Sequence, residues 1–259
     1  MKITILTLFP SLFDGFLTNS IIKRAIAKGV VEIETVNIRD YTKDKYGRCD
    51  TPPIGGGAGL IMKCQPIIDA IKDKRDEGSH VVLFSPRGNT YSEKKAYEFS
   101  KLDHLILLCG HYEGIDERVN QYVDELVSIG DYILTGGEIP AMAVADSVIR
   151  LLDGAINADS LKDESFNDNA LEYPQYTEPY DFEGDSVPDI LYSGNHEAIR
   201  KYRRKESLLL TKEHRPDLFE KLELSKEDKK LLDESRSEEM PKWEKDALEK
   251  GHKFIKNKN

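Results

Sequence analysis

Three cysteines, Cys49, Cys64 and Cys109, are all that 259 residues contain, and no two form a CxxC pair. That spacing excludes a zinc ribbon and a disulfide framework, so no metal is assigned to protein ligands. Long apolar runs are missing too: nothing approaches the roughly 20 residues of a membrane span, and the opening MKITILTLFPSLFDGF reads as a buried strand rather than a leader peptide. A cytoplasmic protein with no membrane partner is expected. Positive charge is in deficit, 37 Lys and Arg against 47 Asp and Glu for a formal net charge of -10. Such a balance excludes a protein that coats nucleic acid by bulk electrostatics, though not one with a local basic face. The glycine run Gly55-Gly56-Gly57-Ala58-Gly59 lacks both the GK[ST] ending of a phosphate loop and the phase of a dinucleotide fingerprint, which rules out nucleoside triphosphate binding there.

What the chain does have is glycine at telling places. Between Cys109 and Pro140 it reads CGHYEGIDERVNQYVDELVSIGDYILTGGEIP, with Gly110 and Gly114, then Gly130, then Gly136 and Gly137 around two apolar runs and one helical segment. Glycine lets main-chain N–H and C=O groups approach a ligand closely, so this stretch reads as a pocket built from backbone. Its surroundings read as alternating strands and helices. Strands are expected at 3–8, 33–38, 81–84, 105–109 and 126–129, and helices at 13–28, 65–77, 116–126 and from Pro140 onward. That alternation predicts an α/β fold with a parallel sheet. Ligands in such sheets bind beyond the carboxyl ends of strands, where Ser85-Pro86-Arg87-Gly88 and Gly110-His111-Tyr112-Glu113-Gly114 both lie. Residues 39–60 form a long irregular loop, a length that points to function.

Arg150 sits on the helix after Pro140, where pairing with Asp146 four residues earlier is the plain structural alternative. Periodicity then fades. The expected organisation is an α/β domain at 1–159, a flexible linker at 160–176 and a small, mostly helical domain at 177–259. Helices are predicted at 195–210, 216–222 and 225–235, the last opened by a Ser-x-x-Asp cap, with a frayed end at 253–259. The first carries Arg200-Lys201-Tyr202-Arg203-Arg204-Lys205, a basic cluster suited to phosphates in an otherwise acidic chain.

Phe9-Pro10, Arg24-Ala25, Arg39-Asp40, GGGAGL at 55–60, SPRG at 85–88, CGHYEGIDER at 109–118, SIGDYILTGGEIPA at 128–141, DSVIR at 146–150 and SGNH at 193–196 together resemble one family. It is the bacterial tRNA (guanine-N1)-methyltransferase or TrmD family of the SPOUT superfamily. The resemblance implies a homodimer with its active site at the subunit interface, S-adenosylmethionine as methyl donor, and N1 of the guanosine just 3′ of the anticodon, position 37 of tRNA, as acceptor. It implies a deep trefoil knot as well, whereas connection rules alone give an unknotted sheet. Mg²⁺ is left open.

By the same resemblance the donor is held by Ser85, Pro86 and Gly88, by Gly110, Tyr112, Glu113 and Gly114, and by Ile129, Gly130, Asp131, Tyr132, Ile133, Leu134, Gly136, Gly137 and Pro140. Asp50 with Gly55, Gly56 and Gly57, and Arg200, Arg203 and Arg204, would contact tRNA. Arg150 matches the arginine that stabilises charge on guanine O6. The base departs from the pattern: the family has Asp-Ser-Phe where this chain has Glu164-Ser165-Phe166, so Glu164 takes that role, with Asp163 as competitor. The 46–54 loop departs too, with Tyr46 and Thr51-Pro52-Pro53-Ile54 in place of a His and an Asp-Arg-Pro-Tyr run, and Leu60 replaces a Met.

Overall fold

A computed structural model describes residues 1–157, 165–166, 170–237 and 239–255. The chain divides into two compact units, Met1–Leu161 and Lys162–Asn259. No helix among the described residues is long and apolar enough to cross a membrane.

The first unit is built on a five-stranded, all-parallel sheet in the order β2-β1-β6-β5-β7, from β1 (Lys2–Thr7), β2 (Glu32–Asn37), β5 (Ser79–Thr90), β6 (His104–Leu108) and β7 (Glu125–Ser128). Side chains alternate across a strand. Ile3, Ile5, Val82, Leu105 and Leu107 therefore enter one core with Phe13, Val144 and Val148, while Leu6, Val81, Leu83, Ile106 and Leu108 enter a second with Ile67 and Ile71. With both faces covered, β6 is buried at every residue, which is why it reads as a continuous apolar run.

Helices α3 (Cys64–Lys74), α4 (Glu93–Phe99) and α5 (Glu138–Ile149) pack on the sheet, and a two-residue pair, β3 (Asp50–Thr51) with β4 (Ile61–Met62), closes the long loop expected at 39–60. Three expectations change. The helix predicted across 13–28 is broken into α1 (Asp14–Thr18) and α2 (Ser20–Ala27), because Asn19 is extended and Ser20 takes φ 51°. The stretch 116–126 forms only a short 3-10 turn, Glu117–Tyr122, since Leu126 and Val127 are drawn into β7 beside β5. Strand β5 does not end at Phe84: it slips register between Phe84 and Asn89 and resumes against β7, so residues 85–88 stand out from the sheet edge as a bulge.

In the second unit, α6 (His196–His214), α7 (Pro216–Phe219), α8 (Lys226–Glu234) and α9 (Lys242–Ile255) follow a small hairpin of β8 (Asp181–Phe182) and β9 (Asp185–Ser186). Ile190, Ala198, Tyr202 and Ala247 form its core. Helix α8 has the predicted capping box: the Ser225 hydroxyl accepts from the Asp228 amide while the Asp228 carboxylate accepts from the Ser225 amide. Helix α9, unanticipated, continues to Ile255 where fraying was expected. Its Gly251 lies so close to Ser193 that a Cβ would stand 2.6 Å from the Ser193 Cα. Of the expected linker, Ala170 onward belongs to this unit: Ala170 is buried, the Leu171 amide donates to the Thr211 hydroxyl, and Ser207 donates to the Leu171 carbonyl.

Candidate active site

Because β6, β5 and β7 are parallel neighbours, the segments 109–114 and 129–137 that leave the carboxyl ends of β6 and β7, and the bulge 85–88 late in β5, lie toward the same edge of the sheet. Two glycines make the close approach necessary. A Cβ at Gly137 would sit 2.7 Å from the Cys109 Cα and 2.9 Å from the Gly110 nitrogen, and the Gly137 amide donates to the Gly110 carbonyl at 2.8 Å. A Cβ at Gly88 would lie 2.4 Å from the Leu126 carbonyl carbon and the Val127 nitrogen. Neither obstacle is a side chain that could swing away. Loop 85–88 is thereby seated on β7, and the residue before α5 on the end of β6.

The glycine-rich loop 55–59 joins this edge. The Glu113 amide donates to the Leu60 carbonyl, the Met62 amide to the Gly114 carbonyl, and the Glu113 side chain fills the place of a Cβ at Gly59. Gly55, Gly56 and Gly57 all have positive φ, a conformation L side chains resist. The structure thus brings two groups together in the first unit: Asp50 and Gly55–Gly57, expected to meet tRNA, and Gly110–Gly114, expected to hold the donor.

Tyr112 takes φ 58° and is exposed, and Tyr132, Ile133 and Asp131 are exposed on the third loop, whereas Ile129 and Leu134 are half-buried. Tyr132 lies over Gly130, where a Cβ would meet its ring at 2.5 Å. Pro140 is buried inside the first turn of α5. Arg150 is the C-cap of that helix, its amide donating to the Asp146 carbonyl. Glu164 and Asp163 lie outside the described residues.

The sequence reading passed over a buried polar group behind these loops. Glu138, the first residue of α5, is only 4% exposed and accepts a 2.8 Å hydrogen bond from the Thr7 hydroxyl. Its other oxygen stands 3.9 Å from His111 Nδ1, a buried nitrogen with no hydrogen-bond partner among the described residues. His111 pairs with Gly136 across an isolated antiparallel bridge, packs its ring tilted against that of Phe9 at 4.8 Å, and its amide donates to the Met62 sulfur. Burial, with the Glu138 charge nearby, pushes the Cys109 thiol well above its usual range, so this cysteine is packing rather than nucleophile. A carboxylate directly after a glycine pair at a helix start is the signal that could have found Glu138.

These residues suit a donor carrying a nucleoside. Gly114, at φ 141°, has open space where a side chain would stand, and the aromatic and aliphatic side chains of Tyr112, Tyr132 and Ile133 are exposed on the loops. Among the described residues no group of three or more His, Cys, Asp or Glu side chains is placed to hold a metal ion.

The basic cluster of α6 looks different in space than in sequence. Arg204 donates to Asp228 at 2.7 Å, Lys205 lies 3.3 Å from Glu244 and only 14% exposed, Lys201 pairs with Glu197 at 2.8 Å, and Arg200 reaches Glu227 at 3.4 Å. Arg203 covers the ring of Tyr173 at 4.7 Å. Much of the charge that suggested a phosphate grip is spent within the unit.

An open parallel sheet whose adjacent strand ends are joined by glycine contacts defines an α/β protein of the class in which ligands bind beyond the carboxyl ends of the strands. The comparisons with known proteins are more specific: residues 1–221 match the model of the tRNA (Guanine-1)-methyltransferase TrmD family, and the chain belongs to that family. It is 56% identical over 234 residues to a tRNA (guanine-N(1)-)-methyltransferase of Clostridium perfringens, covering 90% of this chain and 99% of that protein. It is 53% identical over 239 residues to the enzyme of the same name from Dictyoglomus turgidum, covering 92% and 98%.

Proposed function

We propose that this protein transfers a methyl group from S-adenosylmethionine to N1 of the guanosine at position 37 of tRNA. The observation that carries this reading is the convergence, in a member of this family, of three glycine-tightened loops at one sheet edge. The donor supplies an electrophilic methyl group on a sulfonium, which leaves as a neutral thioether. Ser85, Pro86 and Gly88 form one wall of its site, Gly110–Gly114 the second and Ile129–Gly137 the third, with Glu113 and Asp131 as the nearby carboxylates for its polar groups. Glu138 and Thr7 hold the start of α5 against the end of β1 and so keep the second and third walls in register.

Neutral guanine carries its proton on N1, so that proton must leave before or as N1 attacks. The Glu164 carboxylate takes it, with Asp163 as alternative, while Arg150 stabilises the negative charge that grows on O6. Asp50 and Gly55–Gly57 orient the target base from the loop hydrogen-bonded to the donor loop. Both units then contribute: the second binds tRNA, and the active site is completed at the interface of a cytoplasmic homodimer. Exposed apolar side chains beside the site, Ile133 at 80% and Ile139 at 57%, support the dimer. The chain is threaded into the trefoil knot that its family implies. Mg²⁺ stays an open participant.

The test is methyl transfer to tRNA transcripts carrying G or A at position 37, read by mass spectrometry of nucleosides. N1-methylguanosine at position 37 alone is expected; donor binding without transfer would overturn the proposal. In single-turnover reactions Glu164→Gln is expected to abolish the step and Asp163→Asn to leave most of it, and the reverse order would exchange their roles.

A further inference from the structure

The α6 cluster is largely paired off, yet the second unit has another cationic feature that the sequence did not single out. A cavity of about 310 Å³ opens between the last turns of α6, α7 and α8. Phe219, Leu224 and Leu232 line its apolar part, and Lys212, Lys229 and Arg236 bring three cations to it. Arg236 is engaged with the lining residue Asp233 at 3.2 Å. Lys212 and Lys229 are both exposed, and among the described residues neither ammonium group has an ion-pair partner. The two differ in that respect from Arg200, Lys201, Arg204 and Lys205, each held by a carboxylate.

An apolar floor with an aromatic ring, rimmed by two exposed ammonium groups that make no ion pair among the described residues, is complementary to a flat hydrophobic ring attached to an anion. The volume is at the small end of ligand sites, about 300–1,000 Å³, enough for one nucleotide and too little for a folded partner. Lysine on a flexible stem reaches phosphate as a point charge, and base–aromatic contact tolerates any base. Five of the seven lining residues, Leu224 onward, lie beyond residue 221, where the match to the family model ends.

We infer that this cavity, rather than the Arg200–Lys205 cluster, is the principal phosphate-gripping site of the second unit: it receives one nucleotide of the tRNA, base against Phe219 and phosphate between Lys212 and Lys229. The inference rests on the reading of tRNA as substrate. It is tested with the full chain by fluorescence anisotropy of a labelled tRNA transcript over a salt series, alongside KM and kcat for methyl transfer. Lys212→Ala with Lys229→Ala should weaken binding about tenfold at low salt and flatten the log–log salt slope by about 0.7–0.9, the value for one lost phosphate contact. Lys212→Arg with Lys229→Arg should restore the slope, and Phe219→Ala should weaken binding several-fold with the slope retained. KM for tRNA should rise with kcat and donor affinity held. An unchanged slope in the alanine pair, or a fall in donor affinity instead, overturns the inference. The two readings fail separately: a tRNA that binds with these slopes but accepts no methyl group sinks the methyltransferase proposal and leaves the cavity standing, while methyl transfer with a KM indifferent to both lysines does the opposite.

Discussion

The glycine loops of the first unit and the basic helix of the second were equally conspicuous in sequence, and they fared differently in three dimensions. At Gly88 and Gly137 the missing side chain is explained by backbone atoms that approach to within 3 Å of where it would be. At Arg204 and Lys205 the charge is explained by partners distant in the chain, Asp228 and Glu244. A glycine's meaning is local, because its virtue is lacking a Cβ; a charge has no meaning until its counter-charge is known. The first kind of signal survives folding intact, and the second can be cancelled by it.

The comparison can be broken by substitution. The largest effect is expected from Gly137→Ala, whose methyl must displace main chain on β6: overpacking of about 2–3 kcal/mol, or roughly 30- to 150-fold in donor affinity, read by titration calorimetry. If donor affinity were unchanged, the loops would not be held as described. Next comes Asp228→Ala, which removes the carboxylate 2.7 Å from Arg204 and opens the α8 capping box at once, for about 2 kcal/mol in denaturant unfolding of the full chain.

The same aspartate makes a pH prediction. Burial acts to raise its pKa, but hydrogen bonds from the Arg204 guanidinium and from Ser225 outweigh it and hold the carboxyl below its usual range. A folded-state value below the unfolded one means that the contribution is fully present above the ordinary Asp range near 4 and is lost as pH falls through the folded value. The wild type should therefore lose more stability than Asp228→Asn on acidification below that range. Equal losses would show the pair to be worth nothing.

The smallest effects sharpen the contrast from both sides. Lys201→Ala removes an exposed i,i+4 pair and should cost no more than about 0.5 kcal/mol. Gly15→Ala, in α1 with nothing within 4 Å of the added Cβ, should be neutral or gain up to about 1 kcal/mol. A large penalty at Gly15 would mean that glycine in this chain matters by residue type rather than by position.

Legibility followed the range of the forces involved. Strands β1 and β6 were readable because burial on both faces makes apolar runs, and α8 because its capping box lies within four residues. The 3-10 turn at Glu117–Tyr122 was not, since the residues that seemed to continue a helix are claimed by pairing with β5. Glu138 stayed hidden because nothing in the string places Thr7 and His111, from two other strand ends, against its carboxylate. The lysines of the α6–α8 cavity escaped notice for the converse reason: Lys212 and Lys229 are spaced apart in sequence and become a pair only when two helices meet.

By itself, the sequence determined the α/β alternation, the glycine positions that permit close passage of main chain, and the family whose motifs it carries, since each is a pattern along the chain. Tertiary structure decided which strand ends stand side by side, which carboxylate is buried among them, and which of the many cations remain unspent, because hydrogen bonds and ion pairs are settled by whatever the fold brings within about 3–4 Å.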